Sequence, residues 1–120
     1  MLFYDSYAIL AIAFGQENYR RYTAGFRIVT TIMNLYESYY VLLQKNLPHE
    51  AESVFSRLLP FCVDIEPSHI KDAAYFRLSN QKSKLSYTDA LGYIIAAHYG
   101  IPFLTGDDAF RSLPNVEFVK

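Results

Sequence analysis

Five short apolar runs alternate with helix-patterned stretches, and that alternation restricts the fold more than any other feature of the chain. The runs are Leu2-Phe3-Tyr4, Arg27-Ile28-Val29-Thr30, Phe61-Cys62-Val63-Asp64-Ile65, Pro102-Phe103-Leu104-Thr105 and Val116-Glu117-Phe118-Val119. Between them lie segments patterned for helices. One starts at Asp5-Ser6, continues through Ala13 and ends at Gly15. A short polar one covers Glu17 to Thr23. The next spans Ile32 to Gln44, capped by Thr30 or Thr31. Pro48 precedes a helix over His49 to Leu59 with Val54, Phe55, Leu58 and Leu59 inward, and Pro67 opens one over Ser68 to Leu78. A long one over Tyr87 to Tyr99 ends at Gly100, and Asp107 to Arg111 forms a helical turn. Strands separated by helices pair in parallel through right-handed crossovers. The expectation is one α/β domain over residues 1–120 with a five-stranded parallel sheet.

Composition narrows the function. The 120 residues are 52 % hydrophobic and 19 % charged, which supplies a core and leaves apolar surface for a subunit or partner. A net charge of −1 gives no general electrostatic case for nucleic-acid binding. Local basic groups, Arg20-Arg21 and Arg77, Lys82 and Lys84, could touch phosphates or simply face water. Cys62 is the only cysteine, so no internal disulfide forms and a reducing, cytoplasmic setting is expected. The uncharged stretch Ser6 to Gln16 is too short for a membrane span, which needs about 20 residues. His49, His69 and His98 lack metal-ligand spacing and read as surface or helix-end residues.

Acids occupy the points that such a topology brings together. Asp5 ends the first strand, Asp107 follows the fourth across Gly106, and Glu37 and Asp89 lie in apolar helices. Ligands of open parallel sheets bind at the carboxyl edge of the strands. If the strands of Asp5 and Asp107 are neighbours, their carboxylates sit about 5 Å apart and repel by about 3 kcal/mol at an effective dielectric near 20. Such a site holds a proton or a cation. With no His or Cys cluster beside the acids, a hard cation such as Mg²⁺ suits it.

Each acid also has a local explanation. Asp5 can cap the helix it precedes. Ser86-Tyr87-Thr88-Asp89 fits a capping box. Gly106-Asp107-Asp108 is ordinary turn chemistry. Glu37 has the apolar helical neighbours Met33, Tyr40 and Val41 and no Lys or Arg within four residues. It needs a long-range partner, either a cation or an arginine in a buried salt bridge.

These pieces resemble the PIN domains, and within them the short VapC-type toxin ribonucleases. Phe3-Tyr4-Asp5-Ser6 is similar to the family's strand followed by Asp and Ser or Thr. Glu37 lies in a helix at a matching distance. Leu85-Ser86-Tyr87-Thr88-Asp89-Ala90-Leu91 matches a helix start with its Asp-Ala pair. Thr105-Gly106-Asp107-Asp108-Ala109-Phe110 matches the most distinctive segment, Thr-x-Asp-x-x-Phe. Thr30-Thr31-Ile32 departs from the pattern by lacking a Pro after the second strand. The resemblance implies a three-layer α/β/α fold and Mg²⁺- or Mn²⁺-dependent RNA cleavage, with Asp5, Glu37, Asp89 and Asp107 as metal-site and catalytic acids. Ser6 and Thr105 are implied as polar neighbours of the site, and Asp108, at a variable position, as an outer group. A homodimer and a protein antitoxin are implied as well.

Two other classes place acids in such folds. A phosphotransfer receiver or small Mg²⁺ phosphatase also carries Asp after a strand, but a receiver pairs acids after its first strand and has a late lysine. Here Asp5 stands alone, and Thr105-Gly106-Asp107 contains no lysine. A non-catalytic interaction subunit of the same fold would have no need for all the acids.

Overall fold

The computed structural model describes residues 1–120. Strand β1 (Leu2–Tyr4) leads into α1 (Ser6–Ala13). A 3₁₀ segment over Glu17–Tyr22 then reaches β2 (Ile28–Val29), followed by α2 (Ile32–Gln44), α3 (Pro48–Leu58), α4 (Pro67–Ser79) and α5 (Tyr87–Tyr99). Strands β3 (Phe103–Thr105) and β4 (Val116–Phe118) close the chain. The sheet is parallel throughout, in the order β2-β1-β3-β4.

The side-chain period of a strand explains the three layers. Leu2 and Tyr4 of β1 and Leu104 of β3 point to one face, where they pack with Ala8 and Ile9 of α1, Leu35 and Leu42 of α2 and Val54 of α3. Phe3 and Phe103 point to the other, against Leu91, Ile95 and Ala96 of α5 and Ala73 of α4. The Phe3 and Phe103 rings stack with centroids 5.5 Å apart, and both are fully buried. Fully burying such a ring stabilises by roughly 1.5–3 kcal/mol. Leu59, expected inward, is 46 % exposed, because the helix has already given way to a 3₁₀ turn through Pro60.

The sheet has four strands, one fewer than the sequence predicts. The Phe61–Ile65 run contributes only a bridge, Thr30 to Cys62, with Val63 N–H donating to the Thr30 carbonyl at 2.9 Å. The reason lies in its partner. Strand β2 has two residues, and Thr31 caps α2 immediately after Thr30, accepting from the Asn34 amide. No extended edge remains for a longer ladder. Cys62 is half-buried at that bridge, and burial raises its thiol pKa. No helix is long and apolar enough to cross a membrane.

Candidate active site

Parallel pairing of β1 with β3 aligns Phe3 with Phe103 and Tyr4 with Leu104. Asp5 therefore leaves its strand beside Thr105, at the carboxyl edge of the sheet. The Thr105 hydroxyl donates to Asp5 Oδ2 at 2.7 Å. Asp5 occupies the N-cap position of α1, but its side chain makes no capping bond. It is 2 % exposed, and its Oδ1 has no hydrogen-bond partner. A buried oxygen left unpaired calls for a physical explanation.

Electrostatics place the other acids around it. The Asp5 carboxyl is pushed up to about 7, chiefly by burial. Within that net shift Asp89 adds repulsion, the Thr105 hydroxyl and Ser6 amide pull the value back, and Glu37 adds a smaller repulsion. Asp89 is raised by burial, relieved by the Ser86 amide and hydroxyl, and raised again by Asp107. Glu37 is raised by burial, lowered by the nearby Ser6 hydroxyl, and raised by Asp89 and Asp107. The acids predicted from sequence thus form one mutually repelling group. The pairing within it differs from expectation. The strand register gives Thr105, not Asp107, the place next to Asp5, and Asp89 from α5 is the acid that bears on Asp5 most.

Asp89 and Asp107 are each held by a local device. Asp89 sits in the capping box of α5: its Oδ2 accepts from the Ser86 amide at 2.9 Å, and Ser86 Oγ accepts from the Asp89 amide at 3.0 Å. Capping and membership of the acid group are therefore not alternatives. Asp107 Oδ1 accepts from the Ala109 amide at 3.0 Å, and the Asp107 amide donates to Thr105 Oγ1 at 3.1 Å. Thr105 thereby links Asp5 to Asp107. Glu37 is half-buried on α2 with no ion-pair partner. The structure's ion pairs all lie elsewhere, Arg20–Glu17, His98–Asp72, Arg111–Asp108 and Lys120–Asp108. The buried salt bridge offered as one explanation for Glu37 does not form.

Asp108 does not join the group. Its carboxylate is exposed, bonds Arg111 at 3.1 Å and meets the Lys120 ammonium. Those two cations hold its pKa below the usual carboxylate value. Asp108→Ala is expected to leave the fold intact and to change any activity of the acid group less than twofold. A rate measurement beside wild type checks this, and a large loss would restore Asp108 to the site.

The structure also shows polar residues that the sequence reading passed over. Asn34 is fully buried; its Nδ2 donates to Ser6 Oγ at 3.1 Å and its Oδ1 accepts from Thr31 Oγ1 at 2.7 Å. This network locks Ser6 below Asp5 and Glu37. The signal available was the Thr31-x-x-Asn34 spacing at a helix start, which places both side chains on one turn. His69, expected at the surface or at a helix end, stands in the first turn of α4 and is buried: its Nδ1 accepts from the Glu66 amide at 3.0 Å and its ring meets His98 edge-on at 4.9 Å.

The group fits a hard divalent cation. Its donors are carboxylate oxygens, it contains an orphaned buried oxygen, and no basic side chain neutralises it. No three acid or imidazole side chains close tightly enough to enclose an ion directly.

A doubly wound parallel sheet with carboxylates gathered at the carboxyl ends of its strands defines an acidic-site α/β protein. The PIN domain family model matches residues 2–116, and the chain belongs to that family. Several solved structures share its fold. A toxin–antitoxin complex from Klebsiella pneumoniae superimposes with a TM-score of 0.77 at 15 % identity, covering 97 % of this chain and 95 % of that one. VapC20 of Mycobacterium tuberculosis, described as a sarcin-ricin loop cleaving toxin, gives 0.83 at 16 % identity, covering 98 % of both chains. Among curated proteins, none matches.

Proposed function

We propose that this chain is a divalent-metal-dependent endoribonuclease, the toxin of a type II toxin–antitoxin pair. The carrying observation is Asp5: a buried carboxylate at the sheet edge, one oxygen unpartnered, surrounded by acids and by no cation. Membership of the PIN family and the toxin character of the two structural neighbours support RNA as substrate and a protein antitoxin as partner. A homodimer completes the reading.

Asp5, Asp89 and Asp107 would hold Mg²⁺ or Mn²⁺, with Glu37 as a further ligand or as the group that orients the attacking water. A divalent ion held there would supply Lewis acidity, polarising the phosphodiester and lowering the pKa of that water. The chain's own part is positioning. Thr105 fixes one Asp5 oxygen and leaves the other free. The Ser86 box and the Ala109 amide fix Asp89 and Asp107 before any ligand arrives. Glu37 lacks an anchoring ion pair and keeps freedom to take a proton. The phosphotransfer reading is less well supported, because no lysine pairs with these acids. A non-catalytic subunit would have no use for a repelling acid group.

Unstructured RNA incubated with the protein is expected to be cut in Mg²⁺ or Mn²⁺ and to survive in EDTA. In the absence of RNA, either ion is expected to raise Tm. Binding at tenfold above Kd stabilises by about 1.4 kcal/mol, or roughly 5 °C for a chain of this size. Cleavage that persists in EDTA, or a Tm indifferent to both ions, rejects the assignment.

A further inference from the structure

Asp107 is carried by the turn after β3, and that turn closes against two groups from distant parts of the chain. A Cβ on Gly106 would lie 2.3 Å from the Val119 carbonyl oxygen and 2.4 Å from a Tyr7 ring carbon, so both already press on the backbone that leads into Asp107. One residue touches both. The Tyr19 hydroxyl donates to the Val119 carbonyl at 2.5 Å, and the Tyr19 ring packs against the Tyr7 ring with centroids 6.1 Å apart. Tyr19 is fully buried. It belongs to the 3₁₀ segment Glu17–Tyr22, where a repeat of three residues sets Tyr19 and Tyr22 on one side. Both are buried there, while Arg20 and Arg21 face water. The Tyr22 hydroxyl donates to Glu117 on β4, two residues before Val119. The segment thus grips the returning C-terminal strand at alternate residues.

We propose that Tyr19 is a positioning residue for Asp107. Its hydroxyl and ring hold the Val119 carbonyl and the Tyr7 ring against Gly106, and the turn clamped in this way presents the Asp107 carboxylate to the acid group. The inference rests on the reading of Asp107 as a metal-site acid and adds the residue that sets its place. A phenylalanine would fill the same core space. A buried hydroxyl is costly without a partner, and here the partner is the carbonyl that crosses Gly106. Val119 is tied on both sides, since its amide donates to the Thr105 carbonyl at 2.9 Å. The Thr105 hydroxyl in turn donates to Asp5 and accepts from the Asp107 amide. A displacement of Val119 therefore reaches two of the acids. The strand's other tie to this turn, Lys120 to Asp108, joins exposed charges and holds little.

The test uses the full-length chain with Tyr19→Phe, which removes the hydroxyl and keeps the ring, so the core stays filled. Calorimetry reads Mn²⁺ affinity at a temperature where wild type and variant are both folded. Amide exchange followed by NMR reads the turn in metal-free protein. The Mn²⁺ Kd is expected to rise about tenfold, the lower end of what outer partners of metal ligands contribute. The Asp107 and Ala109 amides, which donate to Thr105 Oγ1 and Asp107 Oδ1, are expected to exchange about tenfold faster, as local opening becomes easier. Tyr93→Phe is the comparator. It removes a hydroxyl of the same kind, donating to the Pro114 carbonyl from the other side of the sheet. It is expected to lower Tm as Tyr19→Phe does, by roughly 5 °C. Its Mn²⁺ affinity and both amides are expected to stay within about twofold of wild type.

A Tyr19→Phe chain that melts lower yet binds Mn²⁺ and exchanges like wild type would confine the hydroxyl to stability and overturn the proposal. Equal losses of affinity and protection in both variants would mean general loosening and overturn it as well. So would faster exchange with an unchanged Mn²⁺ affinity, because the turn would then move without consequence for the ion. A wild type that takes up no Mn²⁺, with faster exchange of the two amides in Tyr19→Phe alone, leaves the clamp standing and rejects the metal site. Mn²⁺ uptake by wild type, with both amides unmoved in Tyr19→Phe, keeps the metal site and rejects the role given to Tyr19.

Discussion

Asp5→Asn is expected to abolish metal-dependent RNA cleavage and, at the same time, to raise the melting temperature of the metal-free protein at pH 8. The two effects have one cause. Asp5 is buried, shares its surroundings with Asp89 and Glu37, and has one oxygen without a partner. Its carboxyl is pushed from an ordinary 3.8 up to about 7. A raised acid is stabilising in its protonated form, so its contribution is fully present below pH 3.8 and is lost as pH rises through 7. The difference amounts to up to about 4 kcal/mol. Asn stays neutral at every pH. Its carbonyl can still accept from Thr105, and its amide can donate toward the neighbouring carboxylates. The variant is expected to melt about 5–10 °C above wild type at pH 8 and together with it near pH 3.5. Its cleavage rate is expected to fall by more than about a hundredfold, because even outer partners of metal ligands account for 10–100-fold. Thermal melts across this pH range, with cleavage assays in Mg²⁺, check both. An Asn variant that melts below wild type at pH 8, or one that still cuts, removes Asp5 from the role given to it. Added Mg²⁺ should narrow the gap in Tm, since wild type gains a counterion and the variant does not.

Gly106→Ala is expected to disrupt both fold and site. A Cβ at this position would stand 2.3 Å from the Val119 carbonyl oxygen and 2.4 Å from a Tyr7 ring carbon. The Val119 carbonyl cannot step aside. The Val119 N–H donates to the Thr105 carbonyl at 2.9 Å, and the Val119 carbonyl accepts from the Tyr19 hydroxyl at 2.5 Å. Moving that oxygen breaks the end of the β3–β4 ladder and the tie to the Glu17–Tyr22 segment. Overpacking of this kind costs about 3 kcal/mol or more, a loss of roughly 10 °C in Tm. Asp107 is the next residue, so surviving folded protein should also bind metal less well. Urea unfolding with a metal titration reads both quantities. Stability within about 1 kcal/mol of wild type would mean that the carboxyl edge is looser than its contacts indicate.

The second prediction marks a limit of sequence reading. Gly106 looked like ordinary turn chemistry, but its φ is not in the left-handed region. What it needs is room for the returning C-terminal strand, and that strand is distant in sequence. The same division runs through the chain. Helices α2 and α5 run over Ile32–Gln44 and Tyr87–Tyr99, as their periodicity and flanking residues predict. Apolar spacing, Thr31, Ser86 and Gly100 act within one or two turns, so they are legible locally. The Phe61–Ile65 run has strand composition but only a bridge, because its partner β2 ends too soon. Asp108 could be placed next to the site in sequence, yet Lys120, twelve residues on, draws its carboxylate away.

The gathering of Asp5, Glu37, Asp89 and Asp107 was legible because each acid sits at a strand end or helix position that parallel topology carries to one edge. Alternation of strand and helix, and the devices that start and stop each helix, belong to the sequence alone; they depend on neighbours a few residues apart. Which carboxylates lack a counterion and which hydroxyl holds Asp5 were decided only by tertiary structure. Burial and Coulomb repulsion depend on distance through space, and the chain acquires those distances only on packing.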